Sequence, residues 1–438
     1  MKTTIEKGIY VLEYEGKLIL FDPESFLVFP LQKLSNLTSD TSKYINQTIN
    51  TISKMKQDGQ LNTVLESNPY KPHITRIFLH LSNKCNLKCT YCYANTENHE
   101  YKETIMDKKT IDQALSFLIN LSPDRDKYNI VFFGGEPLLF PDLMQYTENS
   151  IRNKYADKRF VYSLTTNGTL LTKKSHAFLK KNKVSVMLSL DGDKTNHDRN
   201  RINANGVGSY DAIMENIDKY KTLPAPTSAR VTLTKGNYDL IAIYEHLKML
   251  KIDSVLFLPV SLESADPHAL DSADISKFKK EFSKLAAYYL SCLMKEEKTT
   301  KILNFTGVLR QLYQRIPNKR HCGMACNRLA ISSNGDIYPC QRFVGNKQYC
   351  MGNVNTTFDQ KKMVYFSDIT NVENISTCAN CIAQYICAGG CYYDSVLYNG
   401  DLCAPYKNNC DLMQHIVSLG IVMFGIICQQ NEQKLDTV

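Results

Sequence analysis

Three cysteines lie within eight residues in the stretch Cys85-Asn-Leu-Lys-Cys89-Thr-Tyr-Cys92. Soft thiolates select iron–sulfur clusters, zinc or Cu(I). A structural zinc site wants four ligands, usually delivered as paired CxxC turns. Here no fourth follows: His80 and His99 are near in sequence but poorly spaced. A [4Fe–4S] cluster ordinarily takes four cysteines. Three would leave one iron free for a ligand that the protein does not supply, and that gap is itself a chemical signal. A second string, Cys378-x2-Cys381-x5-Cys387-x3-Cys391, lies far downstream. Cys322, Cys326 and Cys340 precede it, and Cys403 and Cys410 follow. Of fifteen cysteines, three fall in residues 85–92, one stands alone at Cys292 and eleven fall in residues 322–428. Such clustering fits two separate metal-binding regions better than a uniform disulfide scaffold.

The elements that must position these thiols show in the hydrophobic rhythm. Strand-like apolar runs occur at Arg76–Leu81, Tyr128–Phe133, Phe160–Thr166, Val184–Leu190, Ala229–Thr234 and Ser254–Val260. Helical patterns separate most of them. Asp107–Leu121 carries Ile111, Leu115, Leu118 and Leu121 on one face, and Tyr210–Tyr220 and Tyr238–Leu250 repeat the spacing. Strands alternating with amphipathic helices imply parallel βαβ units. Six of them predict an α/β fold, a partial (β/α)6 TIM-like barrel over residues 76–260, with chemistry where the strands end. Residues 1–75 read as a small N-terminal α+β module: strands Ile9–Tyr14 and Lys17–Phe21 around Glu15-Gly16, then a helix over Ser39–Met55. This module reads either as a structural extension or as a peptide-docking unit. Residues 261–320 read as connecting helices, notably Ala273–Met294. Residues 321–410 form a turn-rich, C-terminal cysteine-rich cluster-binding domain that metal would have to staple. Residues 411–438 end the chain in a helix.

CxxxCxxC after a first barrel strand resembles the radical S-adenosylmethionine (SAM) superfamily, and the next loops repeat that family's order. Gly134-Gly135-Glu136-Pro137 looks like its GGEP motif, Thr165-Thr166-Asn167-Gly168 like its TNG stretch, and Ser189-Leu190-Asp191-Gly192 like its S-[IL]-D-G stretch. His197-Asp198-x-x-Arg201 also resembles family members, although a surface turn with salt bridges would read the same. The resemblance implies that Cys85, Cys89 and Cys92 hold a [4Fe–4S] cluster whose free iron binds the amino and carboxylate groups of SAM. SAM is then cleaved to methionine and a 5′-deoxyadenosyl radical. By the same resemblance Tyr91 lies near the adenine, the Gly134–Pro137 loop meets the SAM amino group and Ser189 meets the ribose. Asn167, Asp191 and Arg201 are further expected cofactor contacts.

The string Cys378 to Cys391 matches the core of the SPASM domain, which houses auxiliary clusters in peptide-modifying radical SAM enzymes. Carried over from that family, auxiliary cluster I takes Cys322, Cys340 and Cys391, with Cys326 either a fourth ligand or absent. Absence would leave an open iron able to hold a substrate thiolate. Auxiliary cluster II takes Cys378, Cys381, Cys387 and Cys410, with Cys403 competing for the last place. Three [4Fe–4S] clusters are expected in all. Gly335 to Gly345 and Met351 to Val354 resemble maturases of ribosomally made peptides, nearest those that build thioethers from peptide cysteines. Sulfatase-maturating enzymes carry an aspartate base after the cysteine matched by Cys340. Here Gln341 cannot accept a proton, which disfavours formylglycine formation. The expected activity is an intrapeptide crosslink, foremost a Cys thioether, with carbon–carbon cyclisation as the alternative. A non-enzymatic iron–sulfur carrier would explain the cysteines but not the GGEP, TNG and SLDG loops. Expected partners are a precursor peptide, its leader held by residues 1–75, and a flavodoxin- or ferredoxin-type electron donor.

The bulk numbers fit this picture. The 438 residues are 43% hydrophobic and 22% charged, ordinary for a globular protein, and a net charge of +8 is mild at this length. No Lys/Arg block interleaved with aromatics points to nucleic acid. The N-terminus has no apolar signal region. The longest apolar run, Ile416–Cys428, is thirteen residues and too short to span a bilayer. A reducing, cytoplasmic location is expected, with no membrane partner.

Overall fold

A computed structural model describes residues 1–31, 39–61, 64–65, 72–95 and 103–430. His99 lies outside them.

Strands β1 (Lys2–Glu6), β2 (Ile9–Tyr14), β3 (Lys17–Asp22) and β4 (Leu27–Leu31) form an antiparallel sheet in sequence order. The β2–β3 hairpin turns on Glu15 and Gly16, both at positive φ (48° and 73°), the geometry favoured for two-residue hairpins. Both faces of β2 and β3 are covered. Ile9, Val11, Leu18 and Leu20 pack with Ile49 and Ile52 of the helix Ser39–Gln57. Tyr10, Leu12, Ile19 and Phe21 join the main core. Double burial explains why Ile9–Leu12 reads as a continuous apolar run.

The second sheet supplies the barrel. It contains β5 (Arg76–Ser82), β6 (Lys127–Gly134), β7 (Arg159–Thr166), β8 (Ser185–Ser189), β9 (Thr227–Leu233), β10 (Ser254–Pro259), β11 (Lys301–Ile302), β12 (Arg328–Ile331) and β13 (Ile337–Tyr338). Their order is β11-β10-β9-β8-β7-β6-β5-β12-β13, and every pairing is parallel except β12–β13. The six predicted strands are β5–β10, each within two residues of its expected start. The helices Lys108–Leu121, Pro141–Lys154, Lys173–Lys181, Tyr210–Lys221 and Leu240–Met249 connect them. Side-chain caps fix several starts: Asp107 accepts from Thr110 N, Thr172 from Ser175 N and Asp239 from Ala242 N. The arc is open, and it recruits strands from outside residues 76–260. β12, inside the cysteine-rich segment, pairs with β5 from Arg328↔Arg76 to Ile331↔Leu79. The cysteine-rich region is therefore welded to the strand that leads into Cys85.

The C-terminal helix is longer than its apolar core. It spans Lys407–Gln430, 24 residues, long and apolar enough to cross a membrane by those measures alone. Yet 72% of its most apolar stretch is buried inside the protein, as in a core helix. It packs on the helices Ser272–Met294 and Leu303–Gln314 and on β4. The two glycines that interrupt its apolar run are close-approach positions. A Cβ at Gly420 would sit 2.7 Å from Val308 Cγ1, and one at Gly425 would sit 3.0 Å from Ile19 Cδ1.

Candidate active site

The Cys85–Cys92 loop leaves the carboxyl end of β5 and is gripped from two sides. On one side Gly135 N donates to Ser82 O and Glu136 N to Lys84 O, each at 2.9 Å. That approach requires glycine. A Cβ at Gly134 would stand 2.1 Å from Ser82 O, and one at Gly135 would stand 2.1 Å from Lys84 O; Gly134 also sits at φ +129°. The pair thus serves the loop that presents Cys85, as well as lining the cavity beside it. On the other side Lys88 N donates to Ile202 O and Thr90 N to Asn200 O, while Leu87 bridges Asn203. Asn167, at the end of β7, adds a third hold. Its Nδ2 donates to Asn86 Oδ1 at 2.9 Å and lies 3.9 Å from Cys85 Sγ.

Asp191 is the hub that fixes the opposite wall. Its buried carboxylate accepts from Tyr91 OH, from Arg201 Nε at 2.9 Å and Nη2 at 3.1 Å, and from Thr232 N at 2.8 Å. Arg201 in turn lies over the Tyr91 ring, 5.2 Å from its centroid. The His197–Arg201 stretch is therefore a buried brace and not a surface turn. His197 Nδ1 accepts from Asp191 N, and its Nε2 meets Ser209 Oγ at 2.9 Å. Burial, then the nearby Arg201, hold its pKa down to about 4, so the ring is neutral.

Glu136 is equally committed. Its carboxylate accepts from Leu138 N (2.9 Å), Thr166 Oγ1 (2.7 Å) and Asn167 N (2.7 Å). Burial pushes its pKa up to about 7, against those three bonds. Cys85, Cys89, Cys92, Tyr91, Gly134, Gly135, Asn167, Ser189 and Arg201 all line one cavity at the strand ends. Glu136, Pro137 and Asp191 are not among its lining residues. The carboxylates of Glu136 and Asp191 are instead engaged by protein donors around that wall.

Arg230, on β9, lines the same cavity without having been singled out by the sequence. Its signal is the period of two: Ala229, Val231 and Leu233 are buried while Ser228, Arg230 and Thr232 take the other face. A second and larger cavity, about 890 Å³, adjoins the first. The two share Asn83, Tyr93, Ala94, Gly134, Gly135 and Arg342. Its remaining wall is mostly polar and comes from the β12–β13 region, including Ser332, Ser333, Asn334, Asp336 and Gln341.

The auxiliary cysteines fall into two groups. Arg328 is flanked by Cys322, Cys340 and Cys391, whose negative charge would hold its proton more tightly than burial loosens it. Cys326 is buried, feels the charge of Cys322, and has its Sγ 2.9 Å from Ser367 Oγ. Cys378, Cys381, Cys387 and Cys410 form the other group, since each of the first two electrostatically perturbs both of the others. Cys403 instead donates to Ile369 O at 3.1 Å. Among the described residues no three such side chains converge on one point, as a single ion needs. A four-iron cluster spreads its ligands over separate corners. The thiols have the chemistry such a group requires. Burial pushes Cys391 and Cys410 up to about 12, with neighbouring carboxylates or thiols adding to it. Alone they stay protonated, whereas cationic iron ionises its thiol ligands outright.

Comparison with known proteins agrees with this geometry. Residues 79–270 match the radical SAM superfamily, and residues 322–382 match the iron–sulfur cluster-binding SPASM domain. A cysteine-type anaerobic sulfatase-maturating enzyme of Clostridium perfringens (strain 13 / Type A) is 26% identical over 366 residues, 77% of this chain and 95% of the relative. A radical SAM cyclopropyl synthase of Paramaledivibacter caminithermalis is 24% identical over 369 residues, 78% of this chain and 73% of the relative. Among solved structures, anSMEcpe with bound AdoMet aligns with a TM-score of 0.68 at 20% identity, covering 83% of this chain and 97% of that one. Streptococcus suis SuiB bound to precursor peptide SuiA aligns with a TM-score of 0.54 at 16% identity, covering 92% and 100%. These two likenesses establish the shared fold.

Proposed function

We propose that this chain, a radical SAM enzyme with a SPASM domain and so a user of SAM and several [4Fe–4S] clusters, crosslinks a ribosomally made precursor peptide, forming a cysteine thioether. The observation that carries the reading is the junction of two cavities. The one lined by Cys85, Cys89 and Cys92 opens into a larger polar one. Cys85, Cys89 and Cys92 would hold a cluster that, with SAM, would supply radical chemistry to remove one hydrogen atom from a substrate carbon. Bonding of the peptide cysteine's sulfur to that carbon would release the thiol proton and pass one electron to an auxiliary cluster. Everything else falls to this chain's residues. Tyr91, Asp191 and Arg201 keep one wall rigid. Asn83, Ser332, Ser333 and Asn334 offer hydrogen-bonding groups of the kind that an extended peptide backbone can use.

SuiB, which shares the fold, is described as bound to its precursor peptide, in keeping with such a substrate here. The leader would dock on residues 1–75, where β1 is an edge strand exposed along its whole length and open to strand addition. A flavodoxin- or ferredoxin-type protein would supply electrons. Relatives named as sulfatase maturases suggest formylglycine formation instead. Against it, Gln341 lines the larger cavity where that resemblance expects a carboxylate base. The cyclopropyl synthase relative favours a second reading, carbon–carbon bond formation.

The test is made on anaerobically reconstituted protein. Three clusters would give about twelve irons and twelve sulfides per chain, four per cubane. SAM with a reductant should yield 5′-deoxyadenosine, which an iron–sulfur carrier would not produce. With a pool of cysteine-containing peptides, a thioether lowers one peptide's mass by two hydrogens and removes one alkylatable thiol. The same mass loss with every thiol intact would reject the thioether and favour the carbon–carbon reading.

A further inference from the structure

One side chain spans the gap between the two thiol regions. Tyr93 follows Cys92 directly, and its ring lies 6.2 Å, centroid to centroid, from that of Tyr393, two residues after Cys391. The Arg342 guanidinium packs on both rings, 5.3 Å from Tyr93 and 4.1 Å from Tyr393. Its Nη1 donates to Asp394 Oδ1 at 2.9 Å and to Cys391 Sγ at 3.5 Å. Its backbone N–H donates to Cys340 Sγ at 3.5 Å. Arg342 also lines both cavities. It therefore touches two of the three thiols grouped around Arg328, and the tyrosine that flanks the first cysteine loop.

This arrangement has a direct consequence for redox chemistry. Hydrogen bonds to cluster sulfurs and nearby positive charge favour the more negative, reduced state and raise the potential. Asp394 sits beside the same sulfur and acts in the opposite sense. The guanidinium is suited to the place, since it can stack on aromatic faces and still direct separate N–H groups. We propose that Arg342 is the positioning residue that raises the reduction potential of auxiliary cluster I and holds that cluster's site against the SAM cavity, with Asp394 as the opposing charge. The proposal rests on the reading that Cys340 and Cys391 are cluster ligands.

The experiment is an EPR-monitored redox titration of the full-length reconstituted enzyme and three variants, with iron counted in each. Arg342→Gln should lower the midpoint potential of one auxiliary cluster, and Asp394→Asn should raise it. Arg342→Lys keeps the charge but loses the stack and the fork, so its shift should be smaller and of the same sign as that of Arg342→Gln. The SAM-site cluster should not move. Unchanged potentials in both Arg342→Gln and Asp394→Asn, at full iron content, would overturn the proposal. Should Arg342→Gln lose its cluster, Asp394→Asn decides alone: a rise supports the proposal and no rise refutes it. An unaltered enzyme with no auxiliary cluster signal would instead bring down the ligand assignment, and this inference with it.

Discussion

The two thiol regions are held in opposite ways. The Cys85–Cys92 loop is short and its backbone is clamped: by the glycines after β6 on one side and by Asn200–Asn203 on the other. Its geometry belongs to the barrel. The auxiliary cysteines ride on short turns. Cys378 closes a three-residue 3₁₀ turn, Cys387 ends a four-residue helix, and Ala388 to Gly390 all take positive φ. Apolar side chains of this segment, such as Ile331, Ile337, Phe343, Phe366 and Tyr392, reach the main core, but the turns that carry the thiols have little beside a cluster to tie them together. A pre-organised site can lose a ligand and keep its fold, whereas a stapled one loses both.

That contrast is most exposed by removing one ligand from each region. Cys85→Ala should abolish 5′-deoxyadenosine formation while circular dichroism and the thermal midpoint stay near those of the parent. Cys381→Ala should keep measurable SAM cleavage, end peptide modification and make residues 322–410 sensitive to protease. Equal and total loss of SAM cleavage in both would break the comparison, because auxiliary clusters would then support the barrel as well.

The next effect tests the clamp itself. Asp191→Asn leaves the Arg201 guanidinium buried beside Tyr91 without its counter-charge, a change that typically costs about 3–5 kcal/mol. Denaturant unfolding should register that loss, and KM for SAM should rise together with it. An unfolding midpoint close to that of the parent would show that the brace is dispensable. Gly135→Ala should do less damage to stability and more to chemistry. Its Cβ would collide with the Lys84 carbonyl, so the loop that presents Cys85 must move. SAM cleavage should fall at least tenfold, about 1.4 kcal/mol in barrier, with iron at the SAM site retained.

The strands β5–β10 were readable because each is an apolar run bounded by helical periodicity. β1 was not, since Lys2–Glu6 is exposed at every position and carries no alternation. β12 and β13 are four and two residues long among cysteine-rich turns, and only their pairing with β5 makes them strands. At the site, the cysteine spacing together with the family resemblance pointed to many of the residues that line the first cavity, though not to Arg230. It could not tell lining from support. Asp191 and Glu136 occupy motif positions, yet their carboxylates are consumed by Arg201, Thr232, Thr166 and Asn167, partners brought together only by folding. Arg342 was invisible for the same reason: its partners lie about fifty residues downstream and in another sheet loop.

The smallest effect concerns what pre-organisation costs the barrel. His80, on β5, is buried, and its Nε2 has no hydrogen-bond partner. Burial lowers its pKa from 6.5 to about 3. The folded state then stays neutral where the unfolded chain takes up a proton, so stability is lost as pH falls below 6.5 toward 3. Between pH 6.5 and roughly 5.5 the loss should be about 1 kcal/mol. His80→Leu should flatten that slope, and at neutral pH it should be neutral or slightly stabilising, because an orphaned polar atom is replaced by an apolar one. Glu136 has the opposite sign: its raised pKa contributes stability that is lost as pH rises through about 7. Denaturant midpoints of parent and variant, compared at each pH so that cluster loss cancels, separate the two groups. An identical acid slope in His80→Leu would mean that acid sensitivity starts in the stapled cysteine region, and that the barrel is the sturdier half even where its buried imidazole says otherwise.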